Sequence, residues 1–186
     1  MNRFPKEMVA HALCKDGLKI TPPSILIVTR GTEMQKTLAE QFAANEGQPI
    51  TIDGKVVVNM FRRPVKPGQV FDLRFVQGAD LPKQGLRIKV KDGTVLINNQ
   101  EIKEAIVWKE SAPKQISFEC RLKGKIDTSE LRIWNCWLDS RGVTQAWTGN
   151  AGMIVEEVSD GVTLHCSAGS GDFDPSALEV KLIFAK

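Results

Sequence analysis

The sequence predicts a mainly β protein: an antiparallel β-sandwich, jelly-roll-like, with a small α-containing N-terminal region. Three observations lead there. From Pro49 onward the apolar residues recur with period two. Gly, Asp, Asn or Pro punctuates that stretch every 8–15 residues, which divides it into about ten short strands. No helical pattern separates the strands, so parallel βαβ units are not expected. The expected organisation is residues 1–47 packed on the sheet and residues 48–186 forming the sandwich, with the boundary near Gly47.

In the first third, Pro5 to Cys14 reads as a short helix, with proline near its first turn and Gly17 beyond its end. Pro22-Pro23 breaks the chain, and Ile25-Leu26-Ile27-Val28 is long enough for a buried strand. Thr32 and Gln35 have capping-box spacing. Met34, Leu38 and Phe42 follow at intervals of four, an apolar stripe for a helix of about three turns ending at Asn45-Glu46-Gly47.

The strands come next. Ile50-Thr51-Ile52 and Val56-Val57-Val58 flank Asp53-Gly54, a pair suited to the positive φ angles of a type I′ hairpin turn. Phe71, Leu73 and Phe75 alternate with Asp72 and Arg74, and Leu86, Ile88 and Val90 with Arg87 and Lys89. Asp92-Gly93 turns the chain into Val95-Leu96-Ile97, and Asn98-Asn99 turns it again before Ile106-Val107-Trp108. Ile116, Phe118, Cys120 and Leu122 share one face of a further strand. After the strand around Trp134 come Val143 to Trp147, a hairpin of Met153–Val158 with Val162–Cys166, and a last strand carrying Leu178, Val180, Leu182 and Phe184.

Leu131 to Leu138 poses the main functional question. On a strand, Leu131, Ile133 and Trp137 share one face, and Trp134, Cys136 and Leu138 the other. Such a strand is either central in a covered sheet or half buried with aromatic rings free to bind. Packing of the N-terminal third over its outer face would account for both apolar sides. Trp134 and Trp137 cannot share a face, so one is expected in the core and the other under that segment or at a contact surface.

Composition sets the outer bounds. In 186 residues, 42% are apolar and 25% charged, as in ordinary globular chains long enough to bury a core. No apolar run is long enough for a membrane helix, and Met1 to Lys19 lacks a signal-peptide core, so the expected location is the cytoplasm, with no membrane association. Cys14, Cys120, Cys136 and Cys166 form no CxxC pair and read as free, buried thiols. The net charge is +3, but residues 55–91 hold nine basic and two acidic side chains and leave the rest of the chain at −4. That region can attract an anionic partner or simply form solvated strand faces, and the latter is the simpler reading.

Motifs for chemistry are weak. His11 and Cys14 have helical i, i+3 spacing, whereas His165 and Cys166 are adjacent on a strand and point to opposite faces, so four converging zinc ligands are not expected. No cysteine has a local signature for Cys–His catalysis. Ser167-Ala168-Gly169-Ser170-Gly171 lacks the order of a nucleophile elbow. Glu156-Glu157 cannot flank one scissile bond from a single strand. Asp172 and Asp174 can offer oxygens to calcium, but the EF-hand pattern fails, and turn formation is the simpler role. Gly31-Thr32 lacks the remainder of a phosphate loop.

The reading is therefore a non-enzymatic intracellular binding protein without a metal or other cofactor, its partner most readily another protein. The expected contact surface is Arg132, Trp134, Arg141, Trp147 and Asn150, because aromatic and arginine side chains dominate contact energies. The alternatives are nucleic-acid binding through residues 55–91 and a carbohydrate-binding module using tryptophan faces with the Asp172/Asp174 loop.

Overall fold

The computed structural model describes residues 36–185. The expected helix at Pro5 to Cys14, the strand at Ile25 to Val28, and the roles considered for His11, Cys14 and Gly31-Thr32 lie outside those residues.

Helix α1 spans Leu38–Ala44. It is shorter than the apolar stripe suggests. Thr37 is its N-cap, with extended backbone, and a capping box pairs Thr37 with Glu40; Thr32 and Gln35, whose spacing suggests another, lie outside the described residues. Leu38 and Phe42 pack on Val57, with Ile50, Ile52, Ile154 and Phe173 around them.

Fourteen strands follow among the described residues. They are β1 (Ile50–Ile52), β2 (Lys55–Val57), β3 (Phe61–Val65), β4 (Val70–Gly78) and β5 (Gln84–Val90). Next come β6 (Gly93–Ile97), β7 (Gln100–Ile102), β8 (Glu104–Trp108), β9 (Ile116–Leu122) and β10 (Ser129–Leu138). The last are β11 (Thr144–Gln145), β12 (Gly152–Val158), β13 (Gly161–Ser167) and β14 (Leu178–Phe184).

The protein is mainly β, and every strand pairing among the described residues is antiparallel. The Asp53-Gly54 hairpin joins β1 to β2 with positive φ at both turn residues, as the type I′ signal requires. Seven strands form one sheet in the order β12-β13-β14-β4-β9-β6-β7. Five form another, β11-β10-β5-β8, with β3 also paired to β10. Neither of these sheets closes on itself.

Two strands escape the period-two reading, and a third is shorter than expected. β3 contains Pro64 and two arginines; it pairs with a neighbour only along β10, and proline is tolerated on such an edge. β7 is a three-residue strand after the Asn98-Asn99 turn. The expected strand at Val143 to Trp147 is reduced to Thr144–Gln145, because Trp147 has a positive φ of 58° and leaves the extended conformation.

One apolar core draws on both large sheets. Leu86, Ile88, Val90, Leu131 and Ile133 come from the five-stranded sheet; Phe71, Leu73, Phe118, Leu164, Val180 and Leu182 come from the seven-stranded sheet. The chain passes between the sheets at Asp92-Gly93, where a Cβ on Gly93 would lie 2.2 Å from the Arg121 carbonyl oxygen.

Candidate binding face

Strand β10 is central. Along one edge it pairs with β5 from Leu131 to Trp137. Along the other it pairs first with β3 and then with β11. Of the two alternatives for this strand, the structure supplies the first: Leu131, Ile133, Trp134, Asn135, Cys136 and Trp137 are all buried.

Its two faces have different work. Leu131 and Ile133 enter the shared core, and the Asn135 amide donates to the Ser167 carbonyl on the opposite sheet at 2.7 Å. Trp137 lies against Ala151 and Ala168, and it sits so close to Gly169 that a Cβ there would fall 2.2 Å from the indole. The other face carries Arg132, Trp134 and Cys136, and alternation places Arg62, Arg87, Lys89, Glu104 and Ile106 of the neighbouring strands beside them.

Trp134 is only 4% exposed, while Trp147 is 48% exposed and stacks on it with ring centroids 5.1 Å apart and planes 27° apart. The Trp147 indole N–H donates to the Asn59 carbonyl at 3.2 Å. One face of the Trp147 ring is thus used on Trp134, and much of the rest meets solvent. The N-terminal third, which the sequence suggests as cover for the outer face of this strand, lies largely outside the described residues; among those described, Trp147 covers Trp134.

A cationic row runs across the strands beside this pair. Arg62 and Arg132 are register partners, as are Arg132 and Lys89, and Lys89 and Glu104. Glu130 is shared by Arg62 at 3.2 Å and Arg132 at 2.6 Å. Glu104 is shared by Arg87 at 2.6 Å and Lys89 at 3.9 Å. Each carboxylate therefore serves two cations, and the face keeps a net positive charge. Burial alone would raise the Glu130 carboxyl, but the hydrogen bond and charge of Arg132, helped by Arg62, hold it below its ordinary value.

Two donors beneath this surface have no acceptor among the described residues: Trp134 Nε1 and Arg87 Nε are buried, on residues that face each other across the β10–β5 ladder. The Cys136 thiol is pushed up to about 11 by burial, with the nearby Arg87 guanidinium pulling the other way. Buried as a neutral thiol, it is poorly suited to act as a nucleophile at neutral pH.

The expected contact residues divide. Arg132, Trp134 and Trp147 come together on this face. Arg141 lies in the turn after β10, 77% exposed, with its guanidinium on Asp139 at 2.9 Å. Hydrogen bonds from the Val143 backbone and the Arg141 side chain lower the Asp139 carboxyl to about 2. Asn150 stands with helix α1: its carbonyl oxygen accepts from the Leu38 N–H at 3.1 Å, and its amide donates to the Gly171 carbonyl at 2.7 Å. The basic 55–91 region is also divided. Arg62, Arg87 and Lys89 join Arg132, whereas Arg63 covers the Phe184 ring, Arg74 bonds Gln115 and Lys83 pairs with Glu110.

The remaining candidates are dispersed. The His165 Nε2 lies 3.0 Å from Glu156, while Cys166 is buried and its thiol is pushed up to about 12. The Asp174 carboxylate accepts from the Ser176 N–H and hydroxyl, the turn-forming role. Among the described residues, no group of three or more His, Cys, Asp or Glu is placed to hold a metal ion. No helix among them is long and apolar enough to cross a membrane.

Comparison with protein-family models, curated proteins and solved structures finds no match to this chain.

Period two already put Arg132 and Trp134 on one face. The other members became visible only through tertiary placement: Trp147 reaches Trp134 from beyond a turn, and Arg87 and Glu104 join through strand register.

Proposed function

We propose that the chain is a non-enzymatic binding protein of sandwich architecture that captures an anionic partner on the outer face of its five-stranded sheet. The observation that carries this reading is the Trp147–Trp134 stack beside Arg62, Arg132 and Lys89. A ring held in place before binding loses little freedom on contact, and arginine is well suited to carboxylates and phosphates. The shared carboxylates hold the cations in position without neutralising them. Sharing of one core by the two large sheets supports the sandwich. The buried free thiols Cys120, Cys136 and Cys166 suit a reducing, cytoplasmic setting.

Retention on immobilised heparin tests the reading. The Arg62→Glu/Arg132→Glu variant should elute at clearly lower salt than the parent. The control, Arg74→Glu/Lys181→Glu, makes the same charge change on the paired positions of β4 and β14 in the other sheet. It should shift elution much less. Equal shifts for the two variants would show that this face has no special role.

A further inference from the structure

The geometry points to a single-stranded nucleic acid as the anionic partner, its backbone on the Arg62–Arg132–Lys89 row and a base on the free face of Trp147. This rests on the binding-face reading above and narrows it to one class of ligand.

Two features of the face have to be satisfied together. The first is the row of cations. Neighbouring strands lie about 4.8 Å apart, so Arg62 to Lys89 covers roughly 10 Å at the backbone. The second is Trp147, which stacks with centroids 5.1 Å apart on Trp134, itself one pleat repeat (roughly 7 Å) along β10 from Arg132. A ring already stacked on one side and tied to Asn59 presents its other side as a fixed platform. An acidic peptide would occupy the cations and leave the platform without a planar partner. A duplex would also supply phosphates, but its bases are stacked on one another and unavailable to the ring. An unpaired strand supplies both parts, a charged backbone and bases whose faces stack on aromatic side chains without regard to sequence.

The test uses the full chain and a fluorescein-labelled, mixed-sequence 15-nucleotide DNA read by anisotropy across a salt series. The matching duplex and poly-glutamate serve as comparison ligands. The single strand should bind at least tenfold more tightly than either. Trp147→Ala should weaken it by about tenfold with little change in the salt slope, and Trp147→Phe should recover most of the loss. Arg62→Gln/Arg132→Gln should flatten the slope of log K against log salt by about 1.4, at about 0.7 for each phosphate contact removed. Far-ultraviolet circular dichroism verifies that each variant is folded. A chain that holds heparin through Arg62 and Arg132 but ignores the oligonucleotide overturns this inference and leaves the binding face standing. Equal affinity for duplex or poly-glutamate, or a folded Trp147→Ala variant that binds the strand as tightly as the parent, also overturns it. Failure to hold heparin or any oligonucleotide overturns the binding face itself.

Discussion

Trp134 and Trp147 form one stacked pair, yet the structure gives them opposite consequences on truncation. Trp134 is almost wholly buried on a central strand, so Trp134→Ala removes a large side chain that its neighbours cannot easily replace. A loss of about 3–5 kcal/mol is expected, as for other buried tryptophans. Trp147 is half open to solvent and loses one stacking contact and one hydrogen bond, so Trp147→Ala should cost about 1–2 kcal/mol. Urea denaturation of both variants decides the matter. Comparable losses would show that Trp147 is part of the fold's support rather than a surface presented for binding. The comparison also separates affinity from stability, since only the ring with the small folding cost can be removed cleanly in a binding assay.

At the scale of the element, helix α1 depends on both a local and a distant contact. Thr37 caps it within four residues, while Asn150 accepts from Leu38 N–H across 112 positions of sequence. Thr37→Ala should weaken the helix by about 1 kcal/mol. Hydrogen exchange of the Leu38–Ala44 amides should therefore accelerate about fivefold while the β10 amides keep their protection. Acceleration of both together would mean that the helix and the sheet open as one unit. The two contacts also mark what the sequence could and could not disclose. Capping-box spacing occurs at Thr32 and again at Thr37, and the residues alone do not say which governs the helix. Alternation exposed β4, β5, β9 and β14, where about one side chain in two is apolar, and a run apolar on both faces exposed β10. It missed β3, where Arg62, Arg63 and Pro64 dilute the pattern and pairing along β10 still makes a strand. At the binding face, period two located Arg132 and Trp134. The ring that covers Trp134 and the carboxylates that order the arginines are fixed by register and loop path, which no local pattern records.

For the molecule as a whole, the shared core determines how stability responds to alkali. Cys120 and Cys166 are fully buried in it, and Cys136 is buried on the outward side of β10. Burial pushes the first two thiols up to about 12 and Cys136 up to about 11. In the unfolded chain a thiol ionises near 8.5. The folded pKa values are thus raised, so this contribution is fully present below about pH 8.5. Above that pH the unfolded state loses protons that the folded state retains, and stability falls until the folded pKa values are reached. At pH 9.5 the loss should be about 1 kcal/mol for each of the three thiols. The chain has no tyrosine, and lysine ionises mainly above this range, so the window from pH 8 to pH 9.5 is well placed for the measurement. Urea midpoints across that window should decline for the parent and decline less for Cys166→Ala, although the variant begins from a lower midpoint because it leaves a small cavity. Alkylation at pH 8.5, followed residue by residue by mass spectrometry, should label Cys120, Cys136 and Cys166 only as fast as the chain unfolds. Rapid labelling of any of them in the folded protein would show that the two sheets admit solvent where the structure packs them shut.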